Sequence, residues 1–119
     1  GAAFDFLATH LDLNEPDRLA AAARIREIIA GRPADRPMVL AGDINAVPGS
    51  KPIEALLKDW TLAQGAQPLL TSPSANPRRQ IDYIFVRPAS RWRVVETRVL
   101  DEPVASDHRP LFSVIELLP

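Results

Sequence analysis

The stretch MVLAGDINAVPGS, residues 38–50, constrains this chain more than any other. Met38 to Ala41 is an unbroken apolar run, reached directly from a helical pattern. Such a run reads as a buried strand in a sheet covered by helices. It then breaks into Gly42, Asp43, Ile44 and Asn45, with Pro48 and Gly49 close behind. A core strand therefore ends in a carboxylate and an amide two residues apart. Turn chemistry alone accounts for either one, because Asp and Asn favour turns. Strand ends along one rim of a sheet are also where α/β folds place their sites.

Around this strand the predicted order is β-α-β-α-β-β-β. Residues 3–11 form a first strand in which Phe4, Phe6 and Ala8 alternate with Asp5, Leu7 and Thr9, so both faces are expected to be partly buried. The segment LNEPDR starts a helix: Asn14 can cap it, Pro16 suits an early position, and Glu15 and Asp17 suit the positive end of the dipole. Leu19, Ala22, Ile25 and Ile29 then recur at spacings of three and four, giving an amphipathic helix to about Ala30. Gly31 and Pro33 stop it. Ser50 is expected to cap a short helix with Ile53, Leu56 and Leu57 on its inner face. Residues 61–77, rich in proline and serine, read as a loop with room for a short strand near Leu69. Residues 80–86 are the third clear strand, and residues 91–100 and 110–118 are two more. No repeat or linker divides residues 1–119, which read as a single unit.

Composition narrows the function classes. The chain has 119 residues, which fits one domain, and 46% are apolar, enough for a real core. The formal net charge of -1 argues against a strongly basic nucleic-acid footprint. The absence of cysteine excludes disulfides and thiolate metal sites. No apolar run reaches the length of a membrane span, and residues 1–5 carry no basic leader. A soluble protein is expected, with the cytoplasm favoured. Residues 1–10 read as the inside of a strand with no leading cap, so the chain is expected to be a piece of something larger or to carry a tag remnant at Gly1.

Several polar residues stand where apolar ones are expected. They are His10 after FLAT, Asp43 and Asn45 after MVLAG, Asp82 inside QIDYIFV, and Asp107 with His108 in ASDHRPLFSV. Singly, most have an ordinary explanation: a turn for Asp43 or Asn45, a satisfied histidine at His10, a capped loop at Asp107. Asp82 is harder to dismiss, because an unpaired carboxylate within an apolar strand is costly. Together they supply three carboxylates, one amide and two imidazoles. Oxygen ligands without thiols favour a hard cation such as Mg²⁺ or Mn²⁺. A histidine beside a carboxylate can act as acid or base, or hold a phosphate oxygen. Phosphoester hydrolysis fits this inventory. Trp60 and Trp92 read as packing residues.

The motifs THLD, LAGDINAVPGS, QIDYIFV and SDHRP, in this order, resemble the endonuclease/exonuclease/phosphatase superfamily, the fold of pancreatic deoxyribonuclease. The resemblance covers essentially the whole chain and only about the C-terminal half of the family's domain. It implies an α/β fold of the α+β sandwich type, here half of a four-layered α/β/β/α sandwich. It also implies a metal-dependent phosphodiesterase, nuclease or phosphatase. Asp43 would orient or deprotonate the attacking water, and Asn45 would hold the phosphate or nucleophile. Asp107, with Asp43, would bind Mg²⁺ or Mn²⁺. His108 would contact the phosphate and serve as acid or base, with Asp82 fixing its tautomer. His10 would bind the phosphate or assist the leaving group. Arg109, Arg78 and Arg79 are candidates to reach a phosphate or anionic head group.

The family's first half supplies an Asn and a metal-binding Glu, and neither lies in the matching motifs here. Half of a sandwich would also leave the inner face of its sheet bare, which is a liability or an interface. Three situations follow: a fragment, a half completed by another chain, or a homodimer packed sheet to sheet. The alternative to an enzyme is a non-catalytic half-domain or assembly module, active only with a complementing N-terminal half.

Overall fold

The structure, a computed structural model, describes residues 2–119. Among the described residues the elements run β1 (Asp5–His10), α1 (Glu15–Ala30), β2 (Met38–Asp43), α2 (Lys51–Leu57), β3 (Thr61–Leu62), β4 (Asp82–Arg87), a 3-10 turn (Ala89–Arg91), β5 (Trp92–Val99) and β6 (Leu111–Leu117). One sheet has the order β1-β2-β4-β3, and β5 pairs with β6 in a second. β1 and β2 are parallel and joined through α1, whereas β4 runs antiparallel to β2 and to β3. The expected order holds with one addition, the two-residue β3. It falls at the start of the segment read as a loop. No strand forms near Leu69, whose N–H donates instead to the Gln80 side chain at 2.9 Å.

Both helices start where the sequence places them, but neither cap side chain bonds to its helix. The Asn14 N–H donates to Asp12 Oδ1 at 2.8 Å, so Asp12 rather than Asn14 shapes the entry to α1. The Ser50 hydroxyl donates to the Val47 carbonyl at 2.6 Å. Backbone geometry, an early proline and acidic first turns are enough to start these helices.

Alternation along the central strands divides their side chains between two faces. Met38, Leu40, Tyr83 and Phe85 join Ala22, Ile25, Ile29, Ile53, Leu56 and Trp60 in the main core under the helices. Val39 and Val86 face the other way and pack with Ala63 and Trp92 where the second sheet leans on the first. Leu57, expected inside α2, is exposed, and Pro52 is buried in its stead. The two-sided burial expected of β1 fails as well. Leu7 packs on the core, but Phe6 is 61% exposed on a face with no helix over it. Both tryptophans are buried. The result is a mixed α/β half-sandwich with helices on one face of the sheet and the other face largely open. Among the described residues no helix is long and apolar enough to cross a membrane.

Candidate functional site

Sheet register sets three of the expected site residues in one row. His10 is level with Asp43 across β1 and β2, and Asp43 is level with Asp82 across β2 and β4. By alternation all three belong to the open face, with Phe6 and Ala8, Val39 and Ala41, and Ile84 and Val86. The row forms one side of an open cleft. Asn45, Asp107, His108 and Arg109 line the rest, together with Asp12 and Leu13.

The chain around Asp43 is bent by specific contacts. Gly42 has φ +148, and a Cβ there would meet the Thr9 carbonyl oxygen at 1.8 Å, so glycine alone lets β1 close against β2. Asp43 Oδ1 accepts the Asn45 N–H at 2.8 Å, which turns the backbone out of the strand. Asn45 itself lies at φ 52, a left-handed conformation that asparagine tolerates. Its side-chain Nδ2 donates to the Leu11 carbonyl at 2.7 Å, tying this turn to the end of β1. Beneath it the Tyr83 hydroxyl lies 2.8 Å from the Ala46 carbonyl and 3.2 Å from that of Gln80. Burial, with a contribution from the Asp82 charge, pushes the Tyr83 phenol up, so it remains a neutral donor.

His108 enters from the loop before β6. Its Nδ1 is 2.8 Å from Asp82 Oδ2, with both side chains mostly buried. An ionised carboxylate only accepts, so Nδ1 carries the proton and Nε2 is the free ring nitrogen. Asp43 Oδ2 lies 3.4 Å from His10 Nε2 and 4.0 Å from His108 Nδ1. The His10 side chain is 75% exposed.

Donor atoms of Asp43, Asp82 and His108 all lie within 4.8 Å of one another, close enough to hold a cation. Asp82 Oδ2, however, already accepts from His108 and from the Thr71 hydroxyl. The trio is better described as a hydrogen-bonded pair beside a less committed carboxylate, Asp43. Asp43, the exposed Asp12 and the exposed Asp107 on the loop before β6 are the other carboxylates lining the cleft that could offer oxygen to a hard cation such as Mg²⁺ or Mn²⁺. That loop is fixed by its backbone, with the Ser74 N–H donating to the Asp107 carbonyl at 2.7 Å.

The arginines are placed differently from one another. Arg109 lines the cleft, but its Nε donates to the Ser74 carbonyl at 2.7 Å and Nη1 is 3.0 Å from Asp101. Arg78 and Arg79 are exposed and do not line the cleft. Sequence reasoning overlooked Asp12, Thr71 and Gln80. Asp12 was visible in THLD. Gln80 stood at the head of QIDYIFV but was read only as the start of a strand, and Thr71 gave no usable signal because the segment around it has no periodicity. Gln80 is buried and pairs with the Gln64 amide at 2.7 and 3.1 Å.

The sequence profile described as the Endonuclease/Exonuclease/phosphatase family matches residues 5–108. The chain belongs to this family. Among solved structures, a functionally unknown conserved protein from Enterococcus faecalis V583 superposes with a TM-score of 0.80 at 27% identity, over 94% of this chain and 49% of its own. A mannosyl-6-phosphatase from Bacteroides thetaiotaomicron gives 0.75 at 21% identity, over 94% and 51%. The beta toxin of Staphylococcus aureus, solved with bound magnesium ions, gives 0.62 at 15% identity, over 91% and 51%. The last two show the shared fold. Among curated proteins none matches the sequence significantly. This member of the endonuclease/exonuclease/phosphatase family therefore spans about half the length of the structures it resembles.

Proposed function

We propose that this chain carries one wall of the active site of a divalent-metal-dependent phosphoester hydrolase. The reading rests chiefly on the Asp82–His108 hydrogen bond at 2.8 Å, held in the same cleft as Asp43. In this reading Asp43 orients the attacking water and accepts its proton, with Asn45 beside it. The water oxygen bonds to phosphorus as the ester P–O bond breaks in line with it. Asp82 holds His108 with Nδ1–H toward its carboxylate and Nε2 open; with a second proton taken up at Nε2, the imidazolium so formed donates to the phosphate and passes that proton to the departing oxygen. His10, level with Asp43, serves the same phosphate from the other side. A bound Mg²⁺ or Mn²⁺ would neutralise charge on the phosphate oxygens, and Asp43 and Asp107 would hold it. Shared fold with a protein named a phosphatase and with a toxin that holds magnesium ions supports both parts of the proposal.

The substrate is expected to be a small phosphoester rather than a long polyanion. Four carboxylates line the cleft, Asp12, Asp43, Asp82 and Asp107, while Arg78 and Arg79 lie off it. The catalytic unit is a completed domain. The open face carries an apolar groove lined by Phe4, Phe6, Val39, Ala41, Ile84 and Trp92, and the His10–Asp43–Asp82 row shares that face. A second half packed on the groove would border the cleft and could bring further metal ligands. Light scattering distinguishes a chain that awaits such a half from one that pairs with its own copy.

The test is hydrolysis of a generic phosphomonoester and phosphodiester, with Mg²⁺, Mn²⁺ or chelator, using the longest native chain. Asp43→Ala and His108→Ala are each expected to lower the rate by about 10²–10⁴-fold. Undiminished hydrolysis by both variants would overturn the assignment.

A further inference from the structure

The loop between β3 and β4 contains one wholly buried hydroxyl, that of Thr71, at 0% exposure. Its Oγ1 lies 2.5 Å from Asp82 Oδ2, the same oxygen that His108 Nδ1 reaches at 2.8 Å. A carboxylate oxygen only accepts, so the hydroxyl is the donor. The Thr71 backbone is equally committed. Its N–H donates to the Arg79 carbonyl at 2.9 Å, and its carbonyl accepts the Arg109 N–H at 2.7 Å. One residue thus grips Asp82 through its side chain and the residue after His108 through its main chain.

We propose that Thr71 is a positioning residue that sets the Asp82–His108 pair through its hydroxyl. The proposal rests on the hydrolase reading for its relevance and on the geometry for its content. Two donors on one oxygen fix the carboxylate's rotation. That oxygen of Asp82 is then held on His108 at the wall of the cleft. The ring is held with Nδ1 protonated and Nε2 free, because a carboxylate partner selects the imidazole tautomer. The Arg109–Thr71 backbone bond keeps the residue after His108 in register with the same support. A threonine serving only to fill space would need its methyl and not its hydroxyl.

That difference is testable on the protein without a substrate. In ¹⁵N-detected spectra of the His108 ring, the unaltered chain is expected to show a single Nδ1–H tautomer and a protected Nδ1 proton. Thr71→Val keeps the shape and removes the donor; the protected proton should be lost and the ring nitrogen shifts should move toward averaged values. Thr71→Ser keeps the donor and should restore the native pattern. A folded valine variant with native ring signals overturns the proposal. Should the valine variant fail to fold, the serine variant decides. Native stability with averaged ring signals would show that the hydroxyl is not what orders the pair. Failure of the hydrolysis assay would leave these ring signals, and this inference, untouched.

Discussion

One sheet offers two environments one residue apart. Met38 and Leu40 on β2, with Tyr83 and Phe85 on β4, are sealed beneath α1 and α2. On the reverse, Phe6 stands 61% exposed, and Val39, Ala41 and Ile84 floor an apolar groove. Both faces are apolar, and only one is fully packed. The packed face carries none of the three row residues. The open one ends in His10, Asp43 and Asp82. Folding energy and chemistry are therefore separated by side of the sheet. The helix face holds the strands in register, and that register aligns the row on the face that still needs a cover.

The sharpest way to break this arrangement is at the joint between the strands. Gly42→Ala places a methyl 1.8 Å from the Thr9 carbonyl oxygen, in backbone that cannot yield without parting β1 from β2. The expected cost is above about 4 kcal/mol, at the exceptional end for one substitution. Urea unfolding should show a chain that is largely unfolded or that has lost β1. Native stability would mean that β1 does not lie against β2 as described.

A matched pair of deletions then compares the two faces directly. Phe85→Ala removes a fully buried ring and is expected to cost about 3–5 kcal/mol. Phe6→Ala removes a ring of the same size from the open face and should stay within about 0.5 kcal/mol. Equal losses in denaturant would show that something, a second copy included, covers the groove in solution. The comparison sharpens further in a completed domain, where Phe6→Ala should become costly.

Much of this was legible beforehand, and the misses have a common cause. The runs MVLA and IDYIFV identified β2 and β4, and the 3.6-residue spacing of Ala22, Ile25 and Ile29 identified α1, because each pattern records which neighbours a residue has. The residues of the site stood out for the opposite reason: Asp82 breaks the pattern of its strand. Burial of Phe6 was misjudged because composition says what a face prefers, not whether anything lies over it. Leu57 was misjudged because α2 is too short for a helical period to settle its inner face. The roles of Thr71, in an aperiodic loop, and of Gln80, read only as the start of a strand, escaped notice because they lie in long-range hydrogen bonds. No local pattern announces those.

The smallest expected effect tests β1 itself, where Asp5 on the helix side has charged partners and its neighbour Phe6 on the open side stands largely uncovered. Asp5 shares its parity with Leu7 and accepts from Arg36 at 2.5 and 3.1 Å, with Arg32 at 3.6 Å. The Arg36 hydrogen bond holds the Asp5 carboxyl below its ordinary value, opposed by desolvation and assisted by the charges of Arg36 and Arg32. A carboxyl lowered in the folded state adds stability above its unfolded value, about 4, and that addition disappears as pH falls through the folded value. Asp5→Asn should therefore unfold slightly earlier than the parent at pH 7, and the gap should close below about pH 4. Phe6→Ala, one residue along and on the other face, should show no such closing gap. An Asp5→Asn deficit that persisted undiminished into strong acid would place the effect in packing, and the ion pair would no longer distinguish the two sides of β1.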